Sequence, residues 1–478
     1  MYGKQSFRCF HNCHGNQLDM VLAHQNEAML LAITVGDLDQ VKCLVGHGVV
    51  VKTHQRTALS ISVEEEQIEI ANFLICNGAD VNFVDALGVP PLVLAVRSGN
   101  LNMIRLLIEA GADVNGKASV QKRTLLKSAH TTPLHVAASE EDSDLLNTLL
   151  AANADVNTKN AKLEMPLHLA AHSGNKVNIA RLIACGAVLN DLDRSGYTPL
   201  HHALSEGHVD CVRELCRLGS SVNFPTSQEH TPLMLAVVKG QLEALKILLQ
   251  FGPSINRREG HLQRTVVHTV IETCRHRVKD NNIMSVDEEL NILDCLVQAG
   301  ADVNLEDKNE ETPFYLCVQI GCESLLNYLI RCENLNINAG KRNPLIIACS
   351  VDANQTTIEL LIQYCPLLVN PPSTSGFTSS GLMAKLATLN YLPCMELLLE
   401  AGYQCSNPEA QLCQQMHPIN TSIVNFVREQ LLQPSPLLRL CRVAVRNCLQ
   451  TRLHRNVLKL PVPQKLQDQI LLNDVDIR

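Results

Sequence analysis

Apolar residues along this chain come in short strings at helical spacing, separated by polar turns rather than by long linkers. Met103-Ile104-Arg105-Leu106-Leu107-Ile108 is one such string, and Ala28-Met29-Leu30-Leu31-Ala32 is another. Each predicts a helix of only two or three turns, too short to close a core alone, so neighbouring units must stack. Towards the other end, Leu437, Cys441, Ala444, Val445 and Cys448 sit at i, i+4, i+7, i+8 and i+11. At ~100° per residue they form one apolar stripe. Arg439, Arg442 and Arg446 fall on the opposite side, so the stripe predicts a helix that must pack on something else.

The strings are periodic. Thr132-Pro133-Leu134-His135 returns as Met165-Pro166-Leu167-His168 and Thr198-Pro199-Leu200-His201, with weaker forms at Thr57, Pro90, Thr231 and Thr312. Starts at 132, 165, 198 and 231 lie 33 residues apart, as do 57 and 90. Thr can cap a helix start with its hydroxyl, and Pro suits the first turn, where its missing N–H costs nothing. Leu and the following Ala137, Ala170, Ala203 and Ala236 are expected to face the stack, and the His to be satisfied by neighbouring backbone.

Nine residues after a start stands Gly99, Gly174, Gly207, Gly240 or Gly321, expected to turn the chain between two helices. Twenty-one residues after a start stands Gly78, Gly111, Gly186, Gly219 or Gly252, where the second helix should end in a left-handed residue. In the unit starting at 132 that place is taken by Asn153, the next-best left-handed residue. Ala-Asp-Val-Asn then opens a hairpin-like finger at 79, 112, 154 and 301.

These markers in phase resemble the ankyrin-repeat family over roughly residues 26–404, with about eleven repeats, the last of them degenerate. The period slips twice. Nine extra residues fall in the finger holding Lys117, Lys122, Arg123 and Lys127, and fourteen fall between two helices around Arg275–Glu289.

After Gln404 the period stops, and Pro434-Ser435-Pro436 breaks the chain ahead of the apolar stripe. Pro436-Leu437-x3-Cys441-x3-Val445 resembles the elongin C-binding motif that opens a SOCS box (suppressor of cytokine signalling box). The resemblance implies that Leu437 enters a pocket on elongin C, that the small Cys441 permits close approach, and that Ala444 and Val445 extend the contact. Fifteen residues on, Leu460-Pro461-Val462-Pro463 resembles the segment with which that family selects cullin-5. Its prolines pre-set an extended backbone and lower the ordering cost of binding. One position departs from the pattern: Gln469 stands where the family usually carries an aromatic.

The organisation expected is an N-terminal extension (1–25), an ankyrin array (26–404), a linker with a short helix (405–433) and a small three-helix SOCS box (434–478). The fold class is an all-α repeat solenoid. The resemblance implies a non-catalytic substrate-recognition subunit of an elongin–cullin–RING ubiquitin ligase. It would bind elongin C (with elongin B), cullin-5 with a RING-box protein, and an unknown protein substrate. The alternative is an ankyrin scaffold or competitor that binds elongin C without productive ubiquitination, and Gln469 gives it weight.

Composition agrees. Of 478 residues, 46% are hydrophobic and 3% aromatic, with no Trp, as suits closely stacked small helices. Nineteen cysteines, odd in number and scattered, are read as reduced small hydrophobes of a cytoplasmic protein, with nuclear presence left open. No apolar leader or membrane span is visible in the sequence. The net charge of −8 divides into +5 for residues 434–478 and −13 for the rest, so nucleic acid is not expected as a partner.

No cofactor, metal or catalytic set is assigned. Gly111-x4-Gly116-Lys117 mimics a phosphate loop, but Ala118 replaces the Ser/Thr that Mg²⁺ needs, and a finger replaces the strand–helix context. Cys9, His11, Cys13 and His14 lie within six residues, too close together to staple a fold around zinc. The basic finger from Lys117 to Lys127 is read as a solvated loop that a partner could use.

Overall fold

The computed structural model describes residues 27–46, 57–84, 88–118, 130–279, 286–337, 339–340, 343–349, 355–365, 368, 382–388, 391–401 and 403. The chain divides into two compact units, Met1–Ser227 and Gln228–Arg478.

In the first unit the helices come in pairs: α1 (residues 27–35) with α2 (Leu38–Gly46), α3 (Ala58–Glu64) with α4 (Ile68–Cys76), and α5 (Pro91–Ser98) with α6 (Leu101–Glu109). Three further pairs follow: α7 (Pro133–Ser139) with α8 (Ser143–Ala151), α9 (Pro166–His172) with α10 (Lys176–Ala184), and α11 (Pro199–Glu206) with α12 (Val209–Arg217). First helices pack on first helices from α3 to α11, and second helices on second helices from α2 to α12. A first helix is therefore covered on nearly every side: Leu134, His135, Val136, Ala137 and Ala138 of α7 are all buried. A second helix keeps one wet face, as α8 buries Leu145, Leu146 and Leu149 while Asp144 and Ala151 stay exposed or nearly so. The atypical first pair closes its end around Met29, Ile33 and Val41, which join Ile61, Ile70 and Leu74 in one core cluster.

The motif residues work as their chemistry requires. Thr57 and Thr198 accept hydrogen bonds from the backbone N–H three residues on. Proline occupies the first helical turn of α5, α7, α9 and α11. Gly99 and Gly207 end their helices in left-handed conformation, and Asn153 adopts φ +60° where other repeats place glycine. The repeat that starts at Thr132 lacks the inter-helix glycine, and Glu140 leaves α7 in extended conformation instead. The carbonyls at that helix end are taken by the next repeat: Asn178 Nδ2 donates to Ala137 and Glu140, and Asn175 Nδ2 to Glu140.

A second left-handed position, two residues before each start, is not marked by glycine consistently. Gly88 and Gly196 occupy it, but so do His130 (φ +59°) and Leu163 (φ +61°), and in the second unit Glu229, Gln263 and Glu310.

The second unit repeats the scheme with α13 (Pro232–Val238), α14 (Leu242–Gln250), α15 (Val266–Lys279), α16 (Val286–Gln298), α17 (Pro313–Ile320) and α18 (Glu323–Arg331). Beyond them lie α19 (Pro344–Ala348), α20 (Gln355–Tyr364), α21 (Leu382–Thr388) and α22 (Leu392–Glu400). First helices pack in the order α13, α15, α17, α19, and second helices in the order α14, α16, α18, α20, with α22 against α20 and α21. One expectation changes here. The fourteen-residue excess is not simply a loop between helices, because α15 runs for 14 residues and α16 for 13, against 7 to 9 in most other repeats. Arg275–Lys279 extends one helix and residues 286–289 the other, since straight-chain and branched apolar residues recur there without Gly or Pro.

Candidate functional site

Fingers and first helices together build the surface that the repeats offer. The bases of six fingers are pinned by the Asn of Ala-Asp-Val-Asn or by the Asn at the same place in the repeat, whose amide reaches the next repeat. In the first unit Asn82 Oδ1 accepts from Asp113 N at 2.6 Å, and Asn115 from Asp155 N at 2.9 Å. Asn157 accepts from Val188 N and Asn190 from Ser221 N, both at 2.9 Å. In the second unit Asn256 serves Asp302 N at 2.8 Å and Asn304 serves Asn336 N at 2.7 Å. The recurrence of Asn was visible in the sequence, but its bond to the following repeat was not.

At three first helices the motif histidine joins the helix to the finger beyond it. Thr132 N donates to His135 Nδ1 at 3.2 Å, which leaves the proton on Nε2, and Nε2 donates to Glu164 O at 3.0 Å. His168 repeats this towards Asp191 O and Tyr197 O, and in the second unit His268 towards Glu311 O. All three rings are buried, and burial first of all lowers their pKa, to about 4 for His168 and His268. They are neutral structural donors, as the motif led one to expect.

Three finger tips are closed by a side chain five residues before the start. Asp193 Oδ1 accepts from Ser195 N and Tyr197 N, both at 2.8 Å, and Asn160 Oδ1 accepts from Lys162 N at 2.8 Å and Glu164 N at 3.1 Å. Asp307 does the same in the second unit for Asn309 N and Glu311 N.

On this frame the first unit carries a polar and aromatic ridge. His202, beside the motif His201, donates from Nε2 to Asp193 Oδ2 at 3.1 Å. Its ring meets those of His168, His172 and Tyr197 edge-on, with centroids 5.5, 5.9 and 5.7 Å away. Lys159 bridges to Asp191 at 2.7 Å, and His172 lies 3.6 Å from Glu206. Burial alone would raise the Asp193 carboxyl, but the bond from His202 and the two backbone N–H groups hold it below its ordinary value. Burial likewise opposes, and Lys159 outweighs it, at Asp191. Glu164, Asp193 and His202 bring one ligand-type atom each within 4.8 Å of one another. Asn160 Nδ2 already donates to Glu164 Oε2 at 2.8 Å and His202 to Asp193, so hydrogen bonds already engage the three groups. The ridge offers donors, acceptors and ring edges side by side, the chemistry of a protein-facing surface. Sequence reasoning did not find it, because its residues come from two fingers and two helices.

Gly111 ends α6 in left-handed conformation, Gly116 turns back onto Asp113, and Ala118 bridges to Thr131, so the phosphate-loop mimic lies in a finger. Of the basic residues of that finger only Lys117 is among the described residues. The Cys9–His14 cluster, Leu437, Cys441, Ala444 and Val445, Leu460, Pro461, Val462 and Pro463, and Gln469 all lie outside them. Among the described residues no helix is long and apolar enough to cross a membrane.

Comparison with known proteins bears on both parts of the chain. A family profile of ankyrin repeats (3 copies) matches residues 3–85, 77–160, 167–259 and 283–373. A profile of the SOCS box matches residues 433–471, which include every residue expected to touch elongin C or a cullin. Alpha-latrocrustotoxin-Lt1a of Latrodectus tredecimguttatus is 37% identical over 108 residues, covering 22% of this chain and 7% of the toxin. The B-cell lymphoma 3 protein homolog of Mus musculus is 33% identical over 105 residues, covering 22% of this chain and 21% of that protein. The chain thus spans only a small part of the curated relatives it matches. The crystal structure of the human ASB11 ankyrin repeat domain aligns with a TM-score of 0.42 and 23% identity, over 52% of this chain and 99% of that one. With ankyrin repeats matched over most of its length and a SOCS box behind them, the chain belongs to the family that joins these two modules.

Proposed function

We propose that this chain is the substrate-recognition subunit of an elongin–cullin–RING ubiquitin ligase of the cullin-5 type. The observation that carries the reading is the SOCS-box match at 433–471, following an ankyrin array. In this reading Leu437 and Cys441 seat the first box helix on elongin C, with elongin B attached, and Ala444 and Val445 complete the apolar contact. Leu460, Pro461, Val462 and Pro463 present a pre-extended segment to cullin-5, whose RING-box partner brings charged ubiquitin. The repeats hold a protein substrate, and the ridge from Lys159 to Glu206 is the surface we assign to it. The chain supplies no reacting group. Its contribution to rate is proximity, since holding two partners together replaces a bimolecular encounter.

The test is co-purification of the full chain with elongins B and C and cullin-5. Leu437→Ala is expected to weaken elongin recovery at least tenfold, as truncating a buried anchor costs roughly 2 kcal/mol or more. Leu460→Ala/Pro461→Ala is expected to lose cullin-5 and keep the elongins. Equal elongin recovery with Leu437→Ala would refute the assignment. Gln469, in place of the usual aromatic, favours a second reading, a scaffold that binds elongin C without ubiquitination. That reading prevails if wild-type chain recovers elongins and never cullin-5.

A further inference from the structure

Two buried cysteines of the second unit meet across a repeat boundary. Cys274 lies in α15, and Cys322 is the N-cap of the nine-residue α18. They are 48 residues apart in sequence, and Cys274 Sγ donates to Cys322 Sγ at 3.1 Å. Cys274 is 1% exposed and Cys322 7%, so the pair sits just beneath the surface. A third thiol, Cys317 of α17, is turned elsewhere and donates to the Cys322 carbonyl at 3.5 Å.

One member of the pair differs from the other buried thiols. Burial pushes up Cys211, Cys216, Cys349 and Cys394, the behaviour of inert small hydrophobes. Cys322 moves the other way, downward, while Cys274, which donates to it, is pushed up. The Cys274 thiol is the main cause, aided by the backbone N–H groups of Leu325 and Ser324, while burial and Glu289 of α16 oppose. A sulfur over the first turn of a helix, with a thiol donating to it, is a setting that favours thiolate. A disulfide requires about 2.05 Å between sulfurs, roughly 1 Å closer than they stand.

We propose that Cys274 and Cys322 form a redox pair, which a peroxide converts to a disulfide stapling α15 to the turn between α17 and α18. The Cys322 thiolate attacks one peroxide oxygen, the O–O bond breaks, and the leaving oxygen departs as water after taking a proton. Cys322 is then a sulfenic acid. The Cys274 sulfur attacks Cys322, the S–O bond breaks, and the hydroxyl leaves with the Cys274 proton as a second water. Two thiols and one hydrogen peroxide become one disulfide and two waters, with two electrons passing from sulfur to oxygen. In a repeat array, where stability is carried by neighbour interfaces, the new bond locks one interface and leaves the rest unchanged.

The experiment treats the reduced full chain with hydrogen peroxide, blocks free thiols, and digests with trypsin in the absence of reductant. The expected product joins Thr265–Arg275 to Asn309–Arg331, with fragmentation assigning the bond to Cys322 and not Cys317. Cys317→Ala should keep the product and Cys274→Ala should abolish it. The oxidised wild-type chain should also show slower backbone hydrogen exchange in α15 and α18, restored by dithiothreitol. The wild-type map decides even if a variant fails to fold. Unlinked peptides after peroxide, a bond to Cys317, or a bond formed only in denaturant would each overturn the proposal.

Discussion

The finger that ends at Thr198 and the finger that ends at Thr312 solve one backbone problem in the same way and then diverge. Asp193 and Asp307 both accept two backbone N–H groups at the tip. Asp193 spends its other oxygen on His202, whose ring leads out to Tyr197 and His172. Asp307 spends it on Arg264, which also reaches Glu272 at 2.9 Å. In the first case the second oxygen of a structural aspartate organises a surface of rings; in the second it ties a permanent cation between the finger and α15. The difference teaches that identity at the scaffold position says little about the surface. One partner residue, nine positions after the aspartate in the first finger and far before it in the second, decides which of the two is built.

The largest effect should strike both fingers alike. His168 and His268 are held near pKa 4 by burial, below the ordinary value of 6.5. A depressed folded-state pKa means that the unfolded chain takes up protons first as pH falls. Stability is complete above about pH 6.5 and is lost progressively down to about pH 4, on the order of 3 kcal/mol for each ring. Urea unfolding followed by hydrogen exchange in each unit would check this, and a unit that keeps its stability across that window would break the parallel. Next, Asp307→Ala should cost about 3 kcal/mol and Asp193→Ala about 2 kcal/mol. Both orphan two N–H groups, but only the first also takes one of its two carboxylate partners from a partly buried guanidinium. Equal losses would remove the distinction drawn between the two partners.

Smaller effects sharpen the first unit. A Cβ at Gly174 would lie 2.7 Å from His208 Nδ1, and the residue holds φ +78°, so Gly174→Ala should cost about 2 kcal/mol. Thermal unfolding of the variant, with His208→Ala added to open space, would separate the clash from the strain. The mildest change runs the other way. Leu163 is exposed at φ +61°, so Leu163→Gly should raise stability by about 0.5–1 kcal/mol in the same measurement.

Much of this fold is legible in the chain alone, because an ankyrin unit writes its rules locally. Thr, Pro and Gly act through their own backbone or the next turn, so Thr198, Pro199 and Gly207 announced a helix start and stop. The tip position at Leu163 and Glu310 stayed hidden because the array forces left-handed backbone there whatever the side chain. The long α15 and α16 were hidden for a related reason: the period can report how many residues are extra, and cannot report that they go on coiling. At the ridge, His202 was in plain sight, yet His172 meets it, and Lys159 meets Asp191, only through stacking. The tail reverses this balance: Leu437-x3-Cys441 is a local signal, and the contact we propose for it belongs to another protein.

The asparagine bonds at the finger bases carry a practical consequence. The bonded residues are 31 apart at Asn82, 40 at Asn115 and 46 at Asn256, yet the distances stay between 2.6 and 2.9 Å. Extra chain has entered twice without disturbing the joint between neighbours. The array therefore behaves as a display scaffold. A foreign peptide or epitope tag spliced between Ala118 and His130 should leave the joint from Asn115 to Asp155 closed, and such insertions could mark or graft this protein without retuning its repeats.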